Sequence, residues 1–151
     1  MSEFTLRIVI VLPAAIFSGI VLFLASVLRR TFRHLTEAEF FAVFAQIIQY
    51  GRRSIMINSL VLIPLLSLTI YVMTVGIKDG LFIAGASLYV VGSFVLSRLL
   101  NEPNYTKLLS SNPANTAAIG VLRDKLNRGN VARAVLSTAG VLVMGLSLIL
   151  N

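Results

Sequence analysis

The sequence predicts an all-α fold, a bundle of four transmembrane helices with a helical cytoplasmic loop between the first and second spans. Of the 151 residues, 57% are hydrophobic and 13% are charged, whereas soluble domains average about 45–50% and about 25%. Four apolar runs each reach the roughly 20 helical residues that cross a hydrocarbon core. The basic residues gather on one side of these runs. We therefore expect residues 1–151 to form a single membrane domain in contact with the lipid bilayer.

The four spans are expected at about residues 8–28, 55–77, 81–100 and 131–150. The first run ends in Arg29-Arg30 rather than at a small-residue cleavage site, so we interpret it as a retained span and not as a signal peptide. The third run is closed by Asn101 and Pro103. The fourth follows Asn130.

Charge predicts the orientation. Eleven of the 13 basic residues fall at the ends of spans or in loops that share one side, and the other side has only Arg7 and Lys78. Because basic residues near span ends favour the cytoplasm, both long loops are expected there and both termini outside. We expect the inner membrane of a bacterium. The eleven residues are Arg29, Arg30, Arg33, Arg52, Arg53, Arg98, Lys107, Arg123, Lys125, Arg128 and Arg133.

Both long loops contain helix signals. In the first loop, Thr36 and Glu39 have the spacing of a capping box, and an apolar stripe follows at helical spacing. This helix either lies flat in the interface or continues into the second span with Gly51 as a joint. In the second loop, a turn at Asn112-Pro113 precedes a short helix expected at about 116–126. The stripe consists of Phe40, Phe41, Phe44, Ile47 and Ile48.

Several function classes are excluded by composition. The absence of cysteine excludes disulfides and thiolate chemistry, and a single histidine, His34, excludes a bis-histidine haem. We expect no metal site and no cofactor. None of the six acidic residues lies in the middle of a span, which argues against a proton pump or an ion-coupled transporter. The net charge of +7 is placed at span ends, so it favours lipid headgroups over nucleic acid as the partner.

Polar residues cluster at the cytoplasmic ends of the spans, where they are costly to place and therefore informative. Arg133 and the amides are candidates for holding carbonyl or phenolate oxygens, and Glu102 is the nearest candidate base. Arg98 and Glu102 are four residues apart, a spacing at which they could pair. The alternative interpretation is structural, since arginines at span ends often reach headgroups and asparagines often cap helices. The ligand-binding candidates are Asn58, Arg98, Asn101, Asn104, Asn130 and Arg133; the catalytic candidates are Arg133 and Glu102.

Two short motifs carry a family resemblance. The segment from Asn101 through Pro103 to Asn104 resembles the Asn-x-Pro-x-Asn motif that closes the third span in the anthrone oxygenase-like family of small four-helix membrane proteins. Asn130 and Arg133 resemble that family's Asn-x-x-Arg motif at the start of the fourth span. The resemblance implies a membrane-embedded bundle and, as in some fungal relatives, a cofactor-independent oxygenation of an anthrone to an anthraquinone. The chain departs from the family in having no tryptophan and in having Val131 where the family often has a histidine.

Two hypotheses follow. In the first, the cytoplasmic mouth of the bundle binds or oxidises a flat, hydrophobic quinone- or polyketide-like molecule, as a cofactor-independent oxygenase if it is an enzyme. In the second, the chain is a non-catalytic structural or accessory subunit that assembles with a membrane-protein partner or with copies of itself. The small size, the few acidic residues and single histidine, and the missing tryptophans support the second.

Overall fold

A computed structural model describes residues 2–150, and in this range the chain is helical with no strand. Four of its five helices are long and apolar enough to cross a membrane, which confirms the predicted fold class and makes the chain an integral membrane protein. The first, third, fourth and fifth helices are these spans. The helices are α1 (Glu3–Phe32), α2 (Glu37–Arg53), α3 (Ile55–Thr74), α4 (Gly80–Ser110) and α5 (Thr116–Leu150).

A polar side chain caps the start of every helix. Ser2, Ser54 and Asp79 each accept a hydrogen bond from the backbone N–H three residues later. Asn115 does the same for α5 through its Oδ1 atom. At α2 the predicted capping box with Thr36 as the cap is present in full. Each such cap contributes about 1 kcal/mol of helix stability, so short polar side chains set where the helices begin.

The bundle is built around α5, which packs along both α1 and α4. In contrast, α3 packs mainly on α1 and makes few direct contacts with α4. Glycines bring α4 and α5 close together: a Cβ atom added to Gly85 would lie 2.6 Å from the backbone nitrogen of Met144, and one added to Gly92 would lie 2.5 Å from that of Ser137. The helices α4 and α5 therefore pack closely, whereas α3 and α4 pack only loosely against each other.

The apolar stripe of α2 packs against the other helices. Phe40, Phe44 and Ile48 are buried in a hydrophobic core with residues of α1, α4 and α5. Gly51 lies inside α2, and the chain breaks instead at Ser54, where the backbone is extended with ψ 113°. The expectation that α2 continues into the second span with Gly51 as a joint is therefore wrong in its joint: α2 and α3 are separate helices that meet at Ser54. The other members of this core are Phe32, Leu108, Ile119, Leu122 and Leu126.

Two expected helix ends were wrong. The helix of the third span does not end at Asn101 and Pro103, because α4 continues to Ser110 through wider π-helical turns that end at Asn101, two residues before the proline. Pro103 lies in the first turn of the α-helical segment that follows, where a missing N–H is tolerated. Likewise the helix expected at 116–126 continues without a break into the fourth span. With 35 residues, α5 is about 50 Å long and must extend beyond a hydrocarbon core of about 30 Å.

Candidate functional site

A cavity of about 590 Å³ lies at the basic end of the bundle, enclosed by all five helices. Most of its wall is apolar, and its exposed lining residues include Asn58 and Leu62 of α3 and Arg98 of α4. The cavity therefore opens along the loose side between α3 and α4. The lining includes the aromatic residues Phe17, Phe44, Phe94 and Tyr105, together with Arg52, Asn58, Ser93, Ser97, Arg98, Glu102 and Arg133.

Irregular helix geometry surrounds this cavity. The π-helical segments Leu24–Leu28 of α1, and Val91–Val95 and Ser97–Asn101 of α4, all lie in the half of the bundle that contains it. Insertions of this kind weaken the regular hydrogen-bond ladder and occur often at functional sites. Five of the lining residues belong to these segments: Leu24, Ser93, Phe94, Ser97 and Arg98.

Arg133 projects from α5 into the cavity wall and is only 7% exposed. Within residues 2–150, no carboxylate lies within ion-pair distance of its guanidinium group. Its Nη2 donates a long hydrogen bond of 3.5 Å to the carbonyl of Ser93, and its Nε has no partner among the described residues. The guanidinium also lies 5.8 Å from the ring centroid of Phe17. Arg133 is therefore a buried cation with unused donor capacity.

The two motif asparagines bond to each other. The Nδ2 atom of Asn101 donates to Oδ1 of Asn130 at 2.6 Å and to the hydroxyl of Tyr105 at 3.1 Å. Asn101 is 0% exposed and Asn130 is 3% exposed. Gly129 makes room for this contact, because a Cβ atom there would collide with Oδ1 of Asn101. Both asparagines lie behind the cavity surface, and neither lines it.

Glu102 pairs with Arg52 rather than with Arg98. The Nη2 atom of Arg52 lies 2.5 Å from Oε2 of Glu102, which joins α2 to α4 at the edge of the cavity. The Arg98 guanidinium instead lies 5.5 Å from the ring centroid of Phe94. The expected pair between Arg98 and Glu102 is therefore wrong: the π-helical turn in this part of α4 changes the regular i to i+4 register.

The two remaining candidates from the sequence, Asn58 and Asn104, donate hydrogen bonds to backbone carbonyls nearby in the chain. The amide of Asn58 donates to the carbonyl of Arg52 at 3.2 Å and also lines the cavity. The amide of Asn104 donates to the carbonyl of Leu100 within its own helix, at 2.5 Å, and Asn104 does not line the cavity. The structure thus brings Asn58, Arg98, Glu102 and Arg133 together at one cavity.

Sequence reasoning missed Tyr105 and Arg52. Tyr105 lies one turn after Asn101, so a helix that continued past Pro103 would have placed the two on one face. Arg52 was assigned only to the basic loop, and no local spacing links it to Glu102, fifty residues later in the chain. In the described range, residues 2–150, no three histidine, cysteine or acidic side chains are grouped closely enough to hold a metal ion.

A second polar cluster lies at the opposite end of the bundle. Arg7 donates to Oδ2 of Asp79 at 2.7 Å and to Oε1 of Glu3 at 2.5 Å. Ser147 donates to the same oxygen of Asp79, and Tyr71 donates to Glu3. Burial raises the pKa of Asp79, but the hydrogen bonds from Ser147, the backbone of α4 and Arg7 outweigh it, so the pKa lies below its ordinary value. These contacts tie the N-terminus of α1 to the α3–α4 turn and to the end of α5.

Comparison with known families gives one result. Residues 44–143 match the sequence model of a family described as Anthrone oxygenase. The matched range includes both asparagine motifs, Tyr105 and Arg133. No curated protein and no solved structure matches the chain significantly.

Proposed function

The chain belongs to the anthrone oxygenase family, and from this premise we propose that its cavity binds a flat, apolar aromatic molecule through an oxygen atom and oxidises it. The observation that supports this most directly is Arg133, which is buried at the cavity wall with no carboxylate partner in the described chain. An unpaired buried charge is costly. An anionic or carbonyl oxygen on a ligand would offset that cost by accepting from the guanidinium group, since Arg133 lines the cavity.

The rest of the cavity suits an aromatic hydrocarbon framework. Its walls carry the rings of Phe17, Phe44 and Phe94, and about 590 Å³ is within the range of small-molecule sites. Its opening between α3 and α4 passes Leu62, which is 49% exposed. A quinone- or polyketide-like molecule dissolved in the bilayer would reach the site by this route.

For an anthrone, the proposed reaction is balanced without a cofactor. Loss of a proton from the ring CH₂ group gives an enolate, whose oxygen would bind Arg133, and Glu102 is the proposed acceptor of the proton. The enolate then reduces O₂: one oxygen atom becomes the new carbonyl of the anthraquinone, and the other leaves as water with the two hydrogens of the CH₂ group. Donors that meet the developing oxyanion lower the barrier to its formation.

Arg133→Met tests the binding step, with Arg128→Met as its control. Arg128 lies on the same helix and is exposed. In nanodiscs, we expect Arg133→Met to weaken anthraquinone binding at least tenfold, since a hydrogen bond to a charged donor contributes about 1.5–3 kcal/mol. Arg128→Met should bind like the wild type. Wild-type protein that does not bind, or equal binding by wild type and Arg133→Met, would overturn the proposal.

Stability gives a second readout, which separates ligand binding from a structural role. Because the charge of Arg133 is uncompensated, removing it should leave the ligand-free bundle as stable as before, or more stable by about 1 kcal/mol or more. A structural role predicts destabilisation instead. Oxygen uptake with anthrone as the substrate measures turnover, and we expect Arg133→Met to abolish it.

A structural or accessory role is the second candidate, and Val131 in the place of a family histidine is the observation that favours it. Without that histidine, the site has no side chain that usually accepts protons near neutral pH. Native mass spectrometry after gentle solubilisation distinguishes the two. A stoichiometric protein partner supports the accessory role, whereas a co-purifying aromatic molecule supports the proposed site.

The orientation also stays a proposal: the basic end, with the cavity, faces the cytoplasm of a bacterium and both termini face outward. The chain contains no cysteine. A single cysteine introduced at exposed Ala114 or Lys78 is therefore the one thiol available for labelling, and its reaction shows on which side of the membrane that position lies. A membrane-impermeant maleimide added to intact cells should label Lys78→Cys and spare Ala114→Cys. The reverse pattern would invert the orientation.

A further inference from the structure

Tyr105 presents an unused hydrogen to the cavity. Its side chain lines the cavity, and its ring lies 6.2 Å from that of Phe44, measured between centroids. Its hydroxyl oxygen accepts from Nδ2 of Asn101 at 3.1 Å. Among residues 2–150 we find no acceptor bonded to its hydroxyl hydrogen, whereas Tyr71 and Tyr89 donate theirs to Glu3 and to the carbonyl of Leu60.

The neighbours of Tyr105 explain why this hydrogen stays available. Arg133 lines the same cavity, but a guanidinium group has donors only and cannot accept. Glu102, the other charged group nearby, is paired with Arg52. Two donor groups, the Tyr105 hydroxyl and the guanidinium group of Arg133, therefore belong to residues that line the same largely apolar cavity.

Building on the proposed function, we propose that Tyr105 and Arg133 donate together to one oxygen of the ligand, and that Asn101 and Asn130 position Tyr105 without touching the ligand. The substrate class is then a planar aromatic carbonyl or phenolate, because an oxygen with two free lone pairs satisfies both donors. An unsubstituted arene satisfies neither and would leave both desolvated.

The buried amide pair fits a positioning role. Asn101 is fully buried between Asn130 and Tyr105, so its amide fixes the hydroxyl oxygen from the side away from the ligand. Gly129 is required for this approach, since any side chain there would displace Asn101. The motif asparagines are thus positioning residues, and Tyr105 is the residue in contact with the ligand.

Tyr105→Phe tests this inference, with Tyr50→Phe as the control, since Tyr50 is 72% exposed. Binding of anthracene is followed by its fluorescence in nanodiscs, and anthraquinone is measured as its competitor. For Tyr105→Phe we expect anthraquinone affinity to fall about tenfold, as for one lost hydrogen bond. Anthracene should bind as well as before or better, because the variant has no hydroxyl for the arene to desolvate, and this binding shows that the cavity is intact. Tyr50→Phe should match the wild type for both ligands.

A double-mutant cycle tests the positioning role. Asn101→Ala should weaken anthraquinone binding and leave anthracene binding unchanged, and it should add little to Tyr105→Phe, because both changes remove the same interaction. Losses that simply add would overturn the positioning role. Anthraquinone binding by Tyr105→Phe at wild-type affinity would overturn the inference while leaving the proposed function standing. Wild-type protein that binds neither ligand would overturn both.

Discussion

The seam between α4 and α5 offers a sharp test of how the bundle is held together. At Gly140 an added Cβ atom would collide with the backbone nitrogen of Tyr89 and lie 2.6 Å from the carbonyl oxygen of Gly85. Both are backbone atoms, so no side-chain rotation relieves the contact, and the helices must separate by roughly 1 Å to restore ordinary packing distances. Overpacking of this kind costs about 1–3 kcal/mol, and the better helix propensity of alanine returns up to about 1 kcal/mol.

Gly140→Ala should therefore destabilise the bundle by about 1–2 kcal/mol. The matched control is Gly145→Ala on the same helix, where an added Cβ atom would meet nothing within 4 Å. That variant should be neutral or stabilised by up to about 1 kcal/mol. Denaturation with SDS in mixed micelles, followed by circular dichroism, measures both. If the two variants agree to within about 0.5 kcal/mol, the close helix approach does not contribute as argued.

Three further perturbations have defined outcomes in the same denaturation assay. Thr36→Ala removes the N-cap of α2 and should cost about 1 kcal/mol; unchanged stability would mean that the cap contributes nothing. The pKa of Asp79 is lowered in the folded state, so the stability it contributes is present above about pH 4 and is lost as the pH falls through the folded pKa. Asp79→Asn should therefore reduce the loss of stability at acidic pH. The same loss in this variant as in the wild type would refute the assignment. Arg52→Ala should change stability by less than about 1 kcal/mol, since its pair with Glu102 is 38% and 30% exposed; a loss above about 2 kcal/mol would show that the pair acts as a buried one.

Local rules were enough to predict the four membrane helices and the start of α2. Apolar run length identified all four, because each lipid-facing helix must satisfy its own backbone hydrogen bonds. The capping box at Thr36 was predicted in full because its two bonds join residues only three apart. The apolar stripe that includes Phe44 was found from its helical period, although period alone does not tell whether protein or lipid covers it.

Long-range pairing and irregular helix geometry could not be predicted in this way. Pro103 predicts the end of a helix and therefore places Tyr105 in a loop. In the structure α4 instead continues past Pro103, after a π-helical turn, and Tyr105 lies on the helix. Glu102 had Arg98 as a partner at local spacing, but the fold offers it Arg52 from another helix. Four of the residues singled out from the sequence therefore do line one cavity, while the contacts that each of them makes depend on packing.

Arg7 and Arg133 have almost the same exposed fraction, but they differ in the partners of their guanidinium groups. Arg7 is 8% exposed and Arg133 is 7% exposed, so both lose most of their hydration on folding. Arg7 pairs with two carboxylates and lies against the rings of Tyr71 and Phe82, so its charge is compensated at the end of the bundle opposite the cavity. Arg133 has a ring contact and one long hydrogen bond. Since a bundle selected for stability alone would have no reason to leave a cation in that condition, the unpaired charge of Arg133 is the feature that the proposed ligand oxygen would compensate.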